Sequence, residues 1–532
     1  MTGVFFLPKY VFYQAQAVCW TMTRSEFLLS DAMKTQNDLL LDAASFLAGL
    51  FFILAFAPFG QSYLAIAALA VLFYTWQSAG PQRAAIRGCL FGLAQFGFGV
   101  SWVYVSIHDF GGANILVASL LTLLFCGFWA LFSGLAGYLV GKLSPRRTGG
   151  WVYLTMPCIW ILCEYLRGEW IFDGFPWLLT GYSQLDTPLA GYVPVLGSYS
   201  TGFIATLTAA MTLLLVDRRD ALSILAVFVV ACLWLTGWTL QGISWSRPIG
   251  KTISVVMIQG NIDQDKKWQP ENRDRILETY RQLTEQHWQA QIIIWPETAV
   301  PAFYDEVSKN FLQPLADKAK KNHTDLIISV PVRDHDKKEY YNAVLTLGTT
   351  QGFYKKVHLL PFGEYLPLQP LSGFLLQTLD IPLGSFTAGN RKQPMLKAAG
   401  YPFIASICYE DAFGIYGAGN FTDAAFLINV TNDAWFGDSL EPHQHMQIAR
   451  MRALESGRYL LRATNSGVTA VVAPNGRIIS RAPLFTTTVL TSSFHPMGGA
   501  TPFMVSGDWS IILLCSLCLS MVIVIPAAKN QR

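Results

Sequence analysis

Charge along this chain is gathered into one block. Of its 38 basic and 35 acidic side chains, 47 lie within residues 251–500, together with seven of the eight histidines, and the other 282 residues share 26. A soluble domain carries roughly 25% charged residues, whereas this chain carries 14% and is 52% hydrophobic. Such patterning predicts a polytopic α-helical membrane domain with one water-facing domain of about 250 residues, and it excludes a wholly soluble or disordered chain. Nine cysteines in 532 residues are too sparse for a disulfide scaffold, and a net charge of +3 makes no electrostatic case for nucleic acid.

A helix needs about 20 mostly apolar residues to cross the hydrocarbon core. Runs of that kind lie at 40–58, 62–78, 88–107, 113–141, 150–166, 190–216, 221–242 and 509–528, which predicts about eight spans. Residues 1–39 read as a cytoplasmic leader, because the apolar stretch 3–20 is broken by Pro8 and Lys9 and lacks the basic start of a signal peptide. Arg83, Arg87, Lys142, Arg146, Arg147, Arg218, Arg219, Lys529 and Arg532 fall on one side of these spans and only Arg167 on the other. The positive-inside rule therefore predicts that both termini are cytoplasmic and the charged domain lies outside. The expected organisation is a leader over 1–39, seven spans over 40–242, an extracytoplasmic domain over 243–505 and a last helix over 509–528. The outer loop over 164–184 mixes Arg167, Glu169 and Asp173 with Trp170, Phe172, Phe175 and Trp177. It reads either as an interfacial aromatic belt or as a re-entrant element that handles a lipid headgroup.

In the outer block, strand-like runs at 253–258, 291–295, 326–330, 343–347, 403–408, 425–430 and 468–473 alternate with helix-like stretches at 273–289, 307–322 and 445–456. That alternation predicts an α/β layered domain. Cys408 is its only cysteine; the other eight fall in the leader or the spans. A lone cysteine on a strand is ordinarily a small buried hydrophobe. Cys408, however, ends an apolar strand and is followed by Tyr409, Glu410 and Asp411, and strand ends are where α/β domains present reactive groups. Glu297 follows another strand in QIIIWPE, and Lys355 and Lys356 precede a segment that ends in Glu364. A carboxylate, an ammonium and a thiol from three strand ends could activate a nucleophile. His443 and His445 resemble a metal pair, but no third ligand cluster is near in sequence, so no metal or other cofactor is expected. Cys515 and Cys518 have redox spacing inside the last span, where helix packing is the simpler reading.

The blocks WPETAVP, KKVHLLPFGEYLP, ICYEDAF and TNDAWFG resemble the signatures of the nitrilase (carbon–nitrogen hydrolase) superfamily. With spans on both sides, and with QGNIDQDKKW, GFPWLLTGYSQ and EPHQHMQIARMRALESGR, the chain is more similar to its membrane-embedded branch, the bacterial apolipoprotein N-acyltransferases, over about residues 40–528. Asp263 departs from that pattern, where proline is expected. The resemblance implies an αββα sandwich and a Glu297–Lys356–Cys408 triad, with Glu364, Asn342 and Glu410 in support and Trp268, Tyr409 and Trp435 lining the substrate site. It also implies a multi-pass protein of the bacterial inner membrane with a periplasmic catalytic domain, expected to be monomeric. Its partners would be a membrane phospholipid as acyl donor and the N-terminus of a diacylated apolipoprotein as acceptor. Two other classes remain open from the residues alone: a membrane-tethered amidase acting on small amides, and a transporter or receptor whose outer domain binds a ligand. The spans carry few ionisable groups, which weighs against transport.

Overall fold

The computed structural model describes residues 35–77, 79–143, 152–366, 386–414 and 421–530. The leader therefore lies outside the described residues, save for its last five, which belong to the first helix. Eight helical regions occupy the eight apolar runs: α1 (Thr35–Ile53), α2 (Tyr63–Gln77), α3 (Pro81–Gly99) with α4 (Val103–Phe110), α5 (Ile115–Leu143), α6 (Val152–Tyr165), α7 (Val193–Asp217), α8 (Ala221–Leu240) and a last helix, Trp509–Asn530. Among the described residues, four helices are long and apolar enough to cross a membrane, and a fifth span results if α3 and α4, bent by 58°, count as one. Helix α2, with 15 residues, is a shorter apolar element, the last helix runs for 22 residues, and α6 has 14 residues with Pro157 inside it.

Glycine sets the spacing of α3 against α5. A Cβ at Gly88 would fall 2.2 Å from the Ser133 carbonyl oxygen, and one at Gly137 would fall 2.2 Å from that of Ala84. Small residues let the two backbones touch where apolar side chains gain nothing by leaving lipid. Arg87 is not a loop cation as the charge pattern suggests: it is fully buried in α3, paired with Asp38 and Asp42 of α1, and donates to the Thr75 carbonyl.

Among the described residues, the charged block folds into an α/β domain with two six-stranded sheets. The first has the order β13 (Thr488–Phe494), β2 (Ile253–Gln259), β3 (Ile292–Ile294), β4 (Asp325–Asp334), β5 (Glu339–Leu347), β6 (Gly352–Lys355). The second has the order β12 (Ile478–Arg481), β11 (Ala470–Val472), β10 (Leu460–Thr464), β9 (Phe426–Thr431), β8 (Tyr401–Ile407), β7 (Leu396–Ala398). A short antiparallel pair, β1 (Arg247–Pro248) with β14 (Met497–Gly498), closes the ends of the domain. In each sheet three central strands are parallel and the outer ones antiparallel. Val255, Met257, Ile294 and Ile327 of the first sheet meet Phe403, Ile407, Ile428 and Leu461 of the second in one dry core. On the far face of the first sheet lie Ile276, Tyr280 and Leu315, from the helices Pro270–Glu285 and Gln313–Lys321. On the far face of the second lie Met446, Ala449 and Ala453 of the helix Glu441–Ser456. The layering is thus α, β, β, α.

Helix 441–456 is buried on nearly every side because it is wedged between the second sheet and the membrane domain. Its Ile448 and Met451 belong to the membrane core. Gln444 accepts from both Trp102 Nε1 (3.1 Å) and Trp177 Nε1 (2.7 Å) and donates to the Gly99 carbonyl (2.9 Å). Gln447 bridges Ala57 N and the Tyr182 carbonyl.

The aromatic loop over 164–184 is not an open belt. It folds inward, burying Phe175, Trp177, Leu178 and Leu179. Arg167 spends its charge on the Phe175 and Trp177 carbonyls (2.5 and 2.9 Å) over the Phe96 ring. Glu164 accepts from the backbone and hydroxyl of Thr180. Only Trp170, 68% exposed, faces outward as a belt residue would.

Candidate active site

The ends of strands from both sheets converge on one buried focus. Glu297 follows β3 in a turn that includes Pro296 and a left-handed Thr298 (φ +45°). Lys356 follows β6, held in register as its N–H donates to the Asn342 carbonyl (2.8 Å). Lys356 Nζ lies 2.7 Å from Glu364 Oε2 and 4.0 Å from Glu297 Oε1. Asn342, on β5, donates to Glu297 Oε1 (2.8 Å) and Glu364 Oε1 (3.2 Å), so one amide spaces both carboxylates around one ammonium. Lys355 points the other way: its Nζ sits 3.7 Å over the Tyr341 ring. Adjacent strand residues face opposite sides, so only one of the paired lysines reaches the carboxylates.

Cys408 follows β8 and opens the 3₁₀ turn Cys408–Ala412. Its φ is +51°. A non-glycine residue in that region is strained and is held only where its surroundings over-determine it. Glu410 supplies part of that hold: its carboxylate accepts from Ile407 N (2.8 Å), Val357 N (2.6 Å), His358 N (3.1 Å) and Tyr354 OH (2.9 Å), tying the cysteine turn to the lysine loop.

Burial and mutual charge set the electrostatics of Glu297, Lys356 and Cys408. Burial pushes Glu297 above the usual carboxylate range, against Lys356, with Glu364 adding to the rise. Burial works against the charge of Lys356, but Glu364 and Glu297 outweigh it and hold the ammonium well above its ordinary value. Burial and Glu297 push the Cys408 thiol up to about 12, against Lys356 and His445. The sulfur therefore rests as a thiol, and an attack by it would call for a base. Burial lifts Glu410 to about 7, opposed by Lys356 and the three backbone N–H groups.

The aromatic residues separate into two groups. Trp268 and Trp435 are 48% and 39% exposed, the latter packed edge-on to Phe110 of α4. Tyr409 is buried; it donates to the Gly174 carbonyl (2.7 Å) and packs with Trp177 and Phe413, so it joins the α/β domain to the inward-folded loop. An open cleft of about 490 Å³ lies at the same junction, between Trp102, Val105 and Pro58 on the membrane side and Asp438, Leu440 and His443 on the other.

Sequence reasoning passed over two buried cations. Lys267, beside Trp268, donates to the Glu297 carbonyl (3.1 Å) and Thr298 Oγ1 (2.7 Å), bracing the base's turn; burial lowers it to about 8, against Glu297. Arg462, in the middle of β10, pairs with Asp411 and Asp433. The signal was a charged residue interrupting an apolar strand, which is tolerable only if it is paired.

Comparison with known proteins decides the family. Residues 48–211 match the model of the apolipoprotein N-acyltransferase N-terminal domain, and residues 254–497 match that of carbon-nitrogen hydrolase. An apolipoprotein N-acyltransferase of Methylococcus capsulatus is 48% identical over 466 residues, covering 87% of this chain and 92% of the relative. This chain belongs to the apolipoprotein N-acyltransferase family. Proteins of the same name from Nitrosomonas europaea and Vibrio cholerae are each 39% identical, covering 90% and 87% of this chain and 95% and 93% of theirs. The expected fold class agrees: a carbon–nitrogen hydrolase domain beside long apolar helices. It is a membrane enzyme of the acyltransferase class.

Proposed function

We propose that the chain transfers a fatty acyl group from a membrane phospholipid, by way of a thioester on Cys408, to the N-terminal amine of a diacylated apolipoprotein. The observation that carries this reading is the convergence of Glu297, Lys356 and Glu364 from the first sheet on the strained turn of Cys408 from the second. Glu297 takes the thiol proton as Sγ attacks the ester carbonyl, and Lys356 faces the developing oxyanion. Collapse breaks the ester C–O bond, and the proton on Glu297 goes to the leaving lysophospholipid alkoxide. The acceptor amine then attacks the thioester, gives its proton to Glu297 and expels the Cys408 thiolate, which recovers that proton. Each bond broken is matched by one formed, and neither a metal nor an organic cofactor enters.

Glu364 and Asn342 fix Lys356 and Glu297, and Glu410 fixes the cysteine turn. Trp268 and Trp435 line the lipid's approach, while Tyr409 supports the site from beneath. The bias of basic residues puts both termini in the cytoplasm and the catalytic domain in the periplasm of a bacterial inner membrane, with domains over 1–39, 40–242, 243–505 and 509–528, as a monomer.

The test uses the full chain in detergent with a phospholipid labelled in one acyl chain and a synthetic peptide bearing diacylglyceryl-cysteine. A free amine should yield acylated peptide and an equal amount of lysophospholipid, and the acetylated peptide should yield none. Free fatty acid in place of acyl-peptide would make the chain a hydrolase.

A further inference from the structure

Beneath Cys408 the second sheet buries charged groups that the mechanism does not use. His445 Nε2 lies 2.7 Å from Asp411 Oδ1 and 3.3 Å from the Cys408 carbonyl oxygen. His445 Nδ1 lies 3.0 Å from Asp433 Oδ1 and 3.1 Å from Glu441 Oε1. Arg462 closes the network on Asp411 Oδ2 (2.8 Å) and Asp433 Oδ2 (3.3 Å). All five side chains are almost completely buried.

We propose that His445 is a positioning residue for the nucleophile, an imidazolium locked between carboxylates that pins the Cys408 carbonyl and adds a second fixed cation, beside Lys356, to the field at the sulfur. It rests on the reading of Cys408 as the nucleophile. A carboxylate oxygen only accepts, and a neutral imidazole donates from one nitrogen alone. Carboxylates at both ring nitrogens therefore require both to carry protons. Burial and Arg462 oppose that charge, but Asp411 and Asp433 outweigh them and hold His445 well above its ordinary value. Arg462 and His445 in turn keep Asp433 low against burial, while burial and Asp433 lift Glu441 to about 7. Two cations then face two aspartates, with Glu441 near neutral.

The groups around the ring come from every element packed on it: Asp411 from the cysteine turn, Asp433 from the turn after β9, Glu441 from the preceding turn of its own helix, Arg462 from β10, and the Trp177 ring at 5.5 Å from the membrane domain. Across Cys408 stand Glu297 and Lys356 of the other sheet. The pin on the carbonyl accounts for part of what holds Cys408 at positive φ, and the charge favours the thiolate. Asp433, Glu441 and His445 also lie close enough to one another to hold a metal ion. Such an ion would have to replace the proton on Nδ1 while Arg462 stays on Asp433.

The test is the pH profile of Cys408 alkylation by iodoacetamide, which reads the sulfur without needing acyl transfer. His445→Gln keeps a donor for the carbonyl but removes the charge. It should slow alkylation about tenfold at pH 7.5 and move the profile up by on the order of one pH unit, lowering kcat while leaving KM for phospholipid unchanged. In the wild-type chain labelled with ¹⁵N-histidine, one ring should keep both nitrogens protonated at pH 8.5. A variant profile that coincides with wild type overturns the proposal even where transfer is impaired. So does a wild-type spectrum with every ring neutral at pH 8.5, or one equivalent of metal whose chelation changes the alkylation profile. Absence of N-acylation by the wild type would count against the proposed function and would leave the alkylation result to stand on its own.

Discussion

The two sheets contribute to the site in different ways. From the first come Glu297, Lys356 and Glu364, whose charged ends meet one another at the focus with Asn342 between them. From the second comes Cys408, and the charges packed around it, Asp411, Asp433, His445 and Arg462, pair with one another, with His445 alone of the four reaching the Cys408 backbone carbonyl. In the proposed mechanism the first sheet provides the groups that move protons and stabilise charge. The second provides a strained backbone and a fixed field. A buried carboxylate–ammonium cluster tunes reactivity through direct contact, whereas a closed ion network acts through fixed geometry and fixed charge.

If that division is right, substitutions on the first sheet should destroy rate while sparing the fold. Glu297→Gln and Lys356→Ala should each lower acyl transfer at least about 100-fold, with melting behaviour close to wild type for Glu297→Gln. Lys355→Ala, whose ammonium rests on Tyr341, should keep most activity. Equal losses at the two lysines would break the comparison at its firmest point. On the second sheet, Arg462→Leu should leave buried Asp411 and Asp433 with His445 but without the guanidinium that bridges them, and cost about 3–5 kcal/mol of stability, measurable by denaturant unfolding of the detergent-solubilised chain. An Arg462→Leu protein as stable as wild type would break this side of the comparison, because the network would not be holding the fold.

Smaller effects sharpen the same contrast. Glu364→Gln keeps the shape of the contact to Lys356 Nζ but removes the charge. It should lower the rate by about tenfold, with acylation still at Cys408. Asn342→Ala removes the amide that donates to Glu297 and favours its charged form. Because the base must be ionised, activity falls as pH drops through the Glu297 value, which already lies above the ordinary carboxylate range. Losing the amide should move that acid limb to higher pH by up to about one unit. An unmoved limb would assign the base to another group.

The apolar runs and the charged block were readable because both follow from solvent: lipid demands continuous apolar surface, and water tolerates charge. Glu297 and Cys408 were readable because each stands at the end of an apolar strand. Lys267, Arg462 and the use of His445 were not, since a buried ion pair is formed by residues far apart in sequence, such as 411 and 462. Strands β10 and β13 escaped for a related reason: LLRAT carries a charge whose partner comes from another element, and TVLTSSF carries hydroxyls on an outer strand. The inward fold of 164–184 was hidden because Arg167 and Glu164 are satisfied by backbone and hydroxyl groups of their own segment. A spacing rule sees their charge and not those partners.

The claim on which the rest depends is that Cys408 holds an acyl group until an amine arrives. Full-length protein purified from membranes and analysed by intact mass should carry a fatty acyl adduct that maps to Cys408, is released by neutral hydroxylamine, and is absent from Cys408→Ala. Adding a diacylated peptide with a free amine should discharge it, and the same peptide acetylated should leave it in place. An adduct that is lost at the same rate in buffer alone, or that persists in Cys408→Ala, would contradict the account.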